Sequence, residues 1–509
     1  MILYYLPLNQ KRTLKKHVPV IAILVFIKLT IHLIGNQNYG FHRDELLHLS
    51  VSEHLDWGYF EFPPFIAVVG KVAHFVFGYS LSVIRFFSTL AGIGILIICC
   101  LIAKELGGKR NAILLAGISV LAFLPFYRNH LLFQPVAFDQ FFWTLGFYFL
   151  IKYFNTKNIK FLLFLGITFG IGLMNKYTIL VWGLGVFIGL LFYDRGKLFK
   201  NKWLYVAGII SFLIFLPNII WQVNHHFPLI LHLQKLKESQ LDANGTFDFV
   251  IEQIKHPFTF TISLIGLVAF FLDTNLKKYK IFGVATVVIF GALWIMESKA
   301  YYFFAIYPIL FAAGAVKIEK LLENKPKRIY VVAAVLLLTA LPFLPLAIPI
   351  LPITDYVEYA DAKKLQDGRV ELTSDYADMF GWEEQVKLVD SLYQSLPLKE
   401  KENCMIWAEN YGEAGALEIL GKKYDLPNPV CSHGSFWTWG TGSTDGTFCI
   451  SIGNEKDVVD RVFQEVKLVK IIKHKYAIDE ENNIPVYLCR KPKISLNKKW
   501  PLLEKYVFE

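Results

Sequence analysis

The chain is poor in charged residues for its length. Of its 509 residues, 18% are charged, 54% are hydrophobic and 16% are aromatic. A soluble globular domain carries roughly 25% charged residues, so an ordinary soluble enzyme is not expected. The same composition excludes a disordered chain, a collagen-like repeat and a small disulfide scaffold.

Motifs that mark several enzyme classes are also missing. The chain has no GxxxxGK[ST] phosphate loop, no GxGxxG dinucleotide motif, no HExxH zinc motif and no GxSxG nucleophile motif. ATP-driven transport and hydrolysis therefore lack their usual machinery, and no nucleotide cofactor is expected. The absence of an evident internal repeat weakens a secondary-transporter interpretation.

The net charge of +10 is unevenly distributed along the chain. Residues 1–350 contain 32 Lys and Arg against 16 Asp and Glu, whereas residues 351–509 contain 20 against 26. The basic excess therefore lies in the apolar part, so it does not indicate a nucleic-acid partner. The composition predicts a transmembrane domain over residues 1–350 and an acidic soluble domain over residues 351–509.

Apolar segments of the first part predict membrane-spanning helices, each of which needs about 20 apolar residues. The segment 64–78 is apolar but interrupted by Lys71 and His74, so we expect it to be re-entrant or interfacial. About eleven candidate spans remain, at 18–35, 81–103, 111–127, 137–154, 160–174, 177–193, 203–222, 257–272, 281–296, 300–316 and 329–350.

The loops between these spans predict the orientation of the chain. One alternating set of loops holds 21 Lys and Arg, and the other set holds seven. The positive-inside rule makes the first set cytoplasmic. The N-terminus is then cytoplasmic, and an odd number of spans places residues 351–509 on the exterior side. We expect no cleaved signal peptide, because no small-residue cleavage site follows the first apolar run.

The predicted exterior part alternates strand-like runs with helical stretches. CMIWAEN, TFCISIG, VKLVKII and IPVYLCR suit strands, while WEEQVKLVDSLYQSL and EKDVVDRVFQEV suit helices, which predicts a small α/β domain. One or two disulfides can form on this side, with a pairing that the spacing does not fix, among Cys404, Cys431, Cys449 and Cys489.

The first exterior loop carries paired carboxylates at the start of a predicted helix. Residues 44–57 have an apolar stripe at helical spacing, which predicts an amphipathic helix at the membrane surface. Asp44 and Glu45 begin this helix, where its N-terminus favours negative charge. Two interpretations are open: an acidic first turn of a helix, or a general base at the membrane–water boundary.

Further polar residues are predicted on the same side of the membrane. Glu61 lies among phenylalanines in EFPP, so it needs a cation, a metal or a hydrogen-bond donor. Asp139 opens a span and suits a helix cap or a functional carboxylate. His225 and His226 can bind a metal or contact a lipid head group, although two adjacent histidines are a weak metal signal.

Basic residues are candidates for binding a lipid phosphate, with snorkelling to head groups as the alternative. Lys176 is the single charge in a tight exterior connection, MNKYT, and Lys299 lies in MESKAYY. Arg85 is near the outer end of its span. Lys28 lies inside the first span, where an intramembrane cation is a functional candidate.

At these residues the sequence resembles the GT-C superfamily of membrane glycosyltransferases. It looks most like the bacterial family related to protein O-mannosyltransferases and to the lipid A aminoarabinose transferase. The segments that carry the resemblance run through most of the chain and keep their order: FHRDELLHL, EFPPF, SLSVIRFFSTLAG, NKYT, KAYYFFAIYPILFAAGAV, MFGWEEQV, ENYGEAGALEILGKKYDLP and SFWTWG.

The resemblance implies roles for the acidic residues and a fold for the chain. Asp44 corresponds to the catalytic carboxylate, and Glu45 is its neighbour in the motif. Glu61 and Asp139 match positions that some relatives use near a divalent metal cation, the one cofactor expected. The implied fold is a polytopic α-helical membrane protein, with amphipathic helices in the first exterior loop and a small exterior α/β domain.

The resemblance also implies a phosphate site. Lys176 matches a position associated with the donor phosphate. Relatives with EKP in the second motif have a Lys where this chain has Phe62, so that phosphate contact has no counterpart here. The remaining substrate-binding candidates, some from the resemblance and some from the residues themselves, are Arg43, Arg85, Lys299, Tyr301 and Tyr302.

These observations predict an inverting glycosyltransferase of the bacterial inner membrane. A polyprenyl-phosphate sugar donor cannot leave the bilayer, so its reactive carbon stays near the interface where Asp44 can act as general base. The acceptor would be an envelope lipid, glycan or protein, and membrane lipids are further partners. The alternative is a transporter or flippase of a lipid-linked sugar, but that function would place ionisable groups near the bilayer midplane.

Overall fold

A computed structural model describes residues 8–193, 196–238, 247–442, 444 and 446–504. The described residues before position 351 are mainly helical. The helices are α1 (Leu8–Gly35), α2 (Arg43–Glu53), α3 (Phe65–Phe77), α4 (Leu81–Glu105), α5 (Arg110–Ala122), α6 (Pro125–Leu131), α7 (Pro135–Thr156), α8 (Lys160–Leu173), α9 (Ile179–Tyr193), α10 (Lys202–Asn224), α11 (Pro228–Leu236), α12 (Asp248–Ile254), α13 (Pro257–Leu272), α14 (Lys280–Ile295), α15 (Tyr307–Leu321), α16 (Arg328–Ala340) and α17 (Leu344–Ala347), with short 3₁₀ helices at Lys197–Lys200, Lys277–Tyr279, Ala300–Ile306 and Leu341–Phe343.

The C-terminal part combines helices with a five-stranded sheet. Its helices are α18 (Ile353–Tyr359), α19 (Ser374–Ala377), α20 (Trp382–Ser395), α21 (Leu398–Lys401), α22 (Tyr411–Leu420), α23 (Gly434–Trp439), α24 (Lys456–Val462) and α25 (Leu496–Lys499). Short 3₁₀ helices are Gly421–Tyr424, Asp479–Glu481 and Trp500–Leu502. The strands are β1 (Cys404–Ala408), β2 (Val430–Cys431), β3 (Phe448–Ile452), β4 (Phe463–Ile472) and β5 (Ile484–Pro492).

The apolar helices make this a multi-pass membrane protein. Six described helices are long and apolar enough to cross a membrane, or up to eight if each of two bent helix pairs is one span. The bent pairs are α5 with α6, at 72°, and α12 with α13, at 98°. All eleven predicted segments contain helices, but α8 and α9 have only 14 and 15 residues. A further predicted span, α7, includes the polar residues Asp139, Gln140 and Lys152.

Glycines allow two of these helices to approach closely. A Cβ atom on Gly266 of α13 would lie 2.0 Å from the carbonyl oxygen of Leu310 in α15. A Cβ atom on Gly314 of α15 would lie 2.1 Å from the carbonyl oxygen of Ile262. Side chains larger than hydrogen would therefore push the helices apart, as expected where membrane helices pack through small residues.

The sheet has the strand order β2-β1-β3-β5-β4. Strand β1 pairs in parallel with β2 and β3, whereas β5 pairs antiparallel with β3 and β4. The small α/β domain is confirmed, and four strands lie where the alternation predicts them. The predicted helix over EKDVVDRVFQEV ends early, at Val462, because the following residues pair with β5 as strand β4.

The described residues form two compact units. Unit 1 comprises those within Met1–Asn36, Arg85–Ile220 and Leu241–Ile350, and unit 2 those within Gln37–Ile84, Trp221–Gln240 and Leu351–Glu509. The predicted domains followed chain order, but the first exterior loop folds with the C-terminal residues. Helix α2 packs on α22, where a Cβ atom on Gly415 would lie 2.9 Å from the Cβ atom of Leu46. This packing buries every residue from Glu45 to Ser52.

The expected disulfides are not formed. All six cysteines lie in the described part of the chain, and all are free and buried. Cys449 and Cys489 are cross-strand neighbours in β3 and β5 and belong to the apolar core of the sheet. Burial raises the pKa of the Cys489 thiol to about 12, which keeps it protonated. These cysteines pack as apolar residues.

Candidate active site

Asp44 lies in the first turn of α2, in unit 2. The N-cap residue is His42, whose ring nitrogen Nδ1 accepts the backbone N–H of Asp44 at 3.2 Å. The carboxylate of Glu45 accepts the backbone N–H of His42 at 3.0 Å. This reciprocal capping explains why the helix begins here. It gives Glu45 a structural contact, whereas its predicted catalytic role stays a prediction.

The carboxylate of Asp44 contacts a tyrosine from the C-terminal part of unit 2. The Tyr411 hydroxyl donates to Asp44 Oδ1 at 3.0 Å. Tyr411 is the first residue of α22, and the Asn410 side chain caps that helix by accepting the N–H groups of Gly412 at 2.8 Å and Glu413 at 3.0 Å. The cap therefore fixes the backbone from which the tyrosine projects.

Arg43 is paired with carboxylates of the same unit. Its guanidinium Nε bonds the Asp378 carboxylate, and Nη2 lies 3.2 Å from Glu480 Oε2. Its backbone N–H also donates to Asp378 Oδ1 at 2.8 Å. These contacts fasten the start of α2. The predicted contact of Arg43 with substrate stays a prediction.

Glu61 has hydrogen-bond donors as partners, one of the three kinds of partner that the sequence predicted for it. The Ser435 backbone N–H donates to Glu61 Oε1 at 2.9 Å, and the Ser435 hydroxyl donates to Oε2. Burial raises the pKa of Glu61, and the hydrogen bonds from Ser435 oppose that shift. Gly434 makes the approach possible, because a Cβ atom there would lie 1.8 Å from Glu61 Oε1.

Asp139 occupies a separate position in unit 1, near the start of α7. Its side chain is almost fully buried. The Trp143 indole N–H donates to Oδ1 at 3.0 Å, and the Thr178 hydroxyl donates to Oδ2 at 2.7 Å. A buried carboxylate needs such donors, since an unpaired charge away from water is costly. Thr178 ends the NKYT segment, which brings Lys176 close enough to interact electrostatically with Asp139.

Lys176 also lies over two aromatic rings of unit 1. Its ammonium nitrogen is 4.4 Å from the ring centroid of Tyr302 and 5.5 Å from that of Tyr301. The two rings meet edge to face with centroids 4.7 Å apart. Lys299 is also close enough to interact electrostatically with Tyr302. The structure therefore brings together four of the predicted substrate-binding residues.

The remaining predicted residues lie elsewhere. Arg85 is fully buried in α4. In the other unit, His225 stacks on Trp221 at 4.1 Å and contacts its carbonyl oxygen at 2.8 Å, while His226 is exposed. Across the described part of the chain, no three His, Cys, Asp or Glu side chains come together in a way that could hold a metal ion. The predicted metal role of Glu61, Asp139, His225 and His226 stays a prediction.

Sequence reasoning missed the partners of the predicted carboxylates. Tyr411 and Ser435 lie 367 and 374 positions from the carboxylates they contact. No local pattern reports such a contact. The one available signal was the order N-Y-G-E, in which Asn410 and Glu413 form a capping box and so mark Tyr411 as the start of a helix.

Comparisons with known proteins show a family model and several solved structures to which this chain is similar. A family model described as dolichyl-phosphate-mannose-protein mannosyltransferase matches residues 61–221. No curated protein sequence matches the chain. The crystal structure of ArnT from Cupriavidus metallidurans in the apo state is 12% identical, with a TM-score of 0.64 over 92% of this chain and 97% of that one.

Two further structures are similar. ArnT from Cupriavidus metallidurans bound to undecaprenyl phosphate is 11% identical, with a TM-score of 0.62 over 92% of this chain and 97% of that one. The Archaeoglobus fulgidus oligosaccharyltransferase, tethered with an acceptor peptide, is 13% identical, with a TM-score of 0.50 over 81% of this chain and 64% of that one. At these identities the matches establish the fold. The family model over residues 61–221 and the shared fold both agree with the resemblance to the GT-C membrane glycosyltransferases.

Proposed function

We propose that the chain is an inverting glycosyltransferase that moves a sugar from a polyprenyl-phosphate donor to an envelope acceptor. The acceptor is a lipid, a glycan or a protein. The reaction takes place on the exterior face of the bacterial inner membrane, with the N-terminus in the cytoplasm and residues 351–509 in the periplasm. The fold supports this proposal, since one protein that shares it was crystallised with undecaprenyl phosphate.

The observation that carries the proposal is the environment of Asp44. Its carboxylate lies at a capped helix N-terminus and accepts a hydrogen bond from Tyr411. Both features favour the charged form of the carboxylate, which is the form a general base needs. In the proposed reaction Asp44 takes the proton from the acceptor hydroxyl or amine as that atom attacks C1 of the sugar. General-base assistance of this kind contributes roughly 10²- to 10⁴-fold to a rate.

The leaving group of this reaction is a lipid phosphate, which gains negative charge as the C1–O bond breaks. We assign the phosphate to Lys176, with Lys299, Tyr301 and Tyr302 as further donors. The rings beside Lys176 stabilise its ammonium group by about 0.5–2 kcal/mol, depending on how far it is desolvated. That is less than a phosphate oxygen offers, so the ammonium group gains by pairing with a phosphate. A single displacement at C1 inverts the anomeric configuration.

The resemblance also implies a divalent metal cation. The carboxylate oxygens of Glu61 are hydrogen-bonded to Ser435, and those of Asp139 are hydrogen-bonded to Trp143 and Thr178. Neither carboxylate has two further protein ligands of the kinds that metals prefer among the described residues. No step of the proposed mechanism passes through a metal.

Mass spectrometry of envelope lipids, glycans and glycoproteins tests the proposal in cells that lack the chromosomal gene. Cells with the wild-type protein should contain a sugar-modified envelope component that is absent from cells with Asp44→Asn. The exposed Asp425→Asn, in the same unit, is the matched control and should behave as wild type. An identical sugar inventory with wild-type protein and with Asp44→Asn, both present in the membrane at equal amounts, would contradict the proposal.

A further inference from the structure

We propose that Tyr411 is a positioning residue for the catalytic carboxylate, so that the C-terminal part of the chain helps to build the active centre. The inference rests on the proposed function of Asp44. It starts from the one hydrogen bond between these side chains, from the Tyr411 hydroxyl to Asp44 Oδ1 at 3.0 Å. The contact joins residues that are 367 positions apart in the chain.

The hydroxyl of Tyr411 acts as a donor in this bond. Tyr411 is only 7% exposed. Burial, and after it the negative charge of Asp44, raises the pKa of Tyr411 well above its usual range, so the phenol keeps its proton. A protonated phenol beside a carboxylate donates, and a bond to an ionised acceptor is stronger than one between neutral groups.

The backbone that carries Tyr411 is held from several sides. Asn410 caps α22 with its side-chain oxygen, and its amide nitrogen donates to Glu481 Oε1 at 2.9 Å. The Glu413 carboxylate accepts the backbone N–H of Glu409 at 2.9 Å. Side chains on both sides of the first turn of α22 therefore hold that turn in place. As a result, Tyr411 presents its hydroxyl at a defined position.

The start of α2, the helix that carries Asp44, is held by Asp378. The Asp378 carboxylate accepts the backbone N–H of Arg43 at 2.8 Å, which fixes the start of α2. Two contacts from the C-terminal part thus act on one short helix, the first on its backbone and the second on the Asp44 side chain. A carboxylate whose rotation is fixed by the hydrogen bond from Tyr411 keeps its oxygens aimed at the acceptor.

Removing the hydroxyl should slow the chemical step without weakening substrate binding. For purified full-length Tyr411→Phe we expect kcat to fall roughly 10- to 100-fold, the rate equivalent of one hydrogen bond to a charged group. The KM values for donor and acceptor should stay unchanged. The acidic limb of the kcat profile should move to higher pH, because a hydrogen bond donated to a carboxylate favours its charged form.

Tyr487→Phe is the matched control. Tyr487 is 6% exposed and lies in the sheet core of the same unit, so its substitution removes the hydroxyl of a buried tyrosine away from Asp44. The control should keep the wild-type kcat and pH profile. A purely structural role for Tyr411 predicts instead that Tyr411→Phe loses activity in proportion to its loss of folded protein, with an unchanged pH profile.

The outcomes separate this inference from the proposed function. If the wild-type protein transfers sugar, Asp44→Asn does not, and Tyr411→Phe matches wild type in kcat and pH profile, only the positioning role is overturned. If Asp44→Asn keeps the wild-type turnover, the proposed function itself fails. A lowered kcat in Tyr411→Phe with the wild-type melting temperature and the shifted acidic limb supports the positioning role.

Discussion

Glu481→Gln is expected to flatten the dependence of stability on pH. Glu481 is 1% exposed, and its pKa is raised to about 7, mainly by burial, although the nearby Arg43 opposes the shift. The folded protein therefore binds this proton more tightly than the unfolded chain does. The contribution to the free energy of unfolding is largest below the ordinary glutamate pKa of 4.5 and falls as the pH rises to about 7.

The size of the effect follows from the same shift. A rise from the ordinary value of 4.5 to about 7 corresponds to a loss of at most about 3 kcal/mol across that interval. The variant can keep its packing, because Gln385 donates to Glu481 Oε2 at 3.1 Å while its own buried Oε1 has no hydrogen-bond partner among the described residues. Rotating the Gln385 amide by 180° lets that oxygen accept the new amide N–H at position 481.

The assay is the apparent melting temperature in detergent, followed by tryptophan fluorescence between pH 4 and pH 8. The wild-type melting temperature should fall toward the upper end of this range, and that of Glu481→Gln should fall less. The exposed Glu455→Gln should retain the wild-type slope. Parallel curves for wild type and Glu481→Gln would refute the conclusion that Glu481 is a buried carboxyl with a raised pKa.

Three further substitutions test individual contacts. Gly434→Ala should lower the melting temperature by several degrees, since φ is +47° there and the new Cβ would displace the Glu61 carboxylate. The backbone strain alone costs about 1–3 kcal/mol. An unchanged melting temperature would contradict this. Asn410→Ala removes the cap of α22 and should cost about 1 kcal/mol by thermal denaturation, with no loss expected if the cap were irrelevant. Lys176→Met should raise the KM for the lipid-phosphate donor at least about 10-fold, as expected for the loss of one charge-assisted contact. The exposed Lys197→Met is the control and should keep the wild-type KM. Equal KM values for wild type and Lys176→Met in steady-state assays would show that Lys176 does not bind the phosphate.

Local patterns predicted much of the fold because they depend on neighbours in the chain. The start of α2 follows from an acidic first turn, and it is observed at Arg43. The face of α20 follows from its spacing, with Trp382, Gln385, Val386 and Val389 buried. Four strands were predicted from alternating runs, but β2 has two residues and is too short to leave a pattern.

The candidate site was predictable only in part, because its contacts are not local. The sequence identified Asp44, Glu61 and Asp139 as candidate functional carboxylates, and each has hydrogen-bond donors. It did not identify those donors, since their positions depend on how distant segments pack. The disulfides considered possible are not formed, since cysteine position in the chain does not report that Cys449 and Cys489 lie in a packed sheet core.

The most direct test of the central claim is the anomeric configuration of the transfer product. Purified protein in liposomes would be given a polyprenyl-phosphate sugar pool and an envelope acceptor extract, and the product would be analysed by NMR. The account predicts release of polyprenyl phosphate, a product with the inverted configuration at C1, and loss of both with Asp44→Asn. A product with retained configuration, or undiminished turnover by Asp44→Asn, would contradict it.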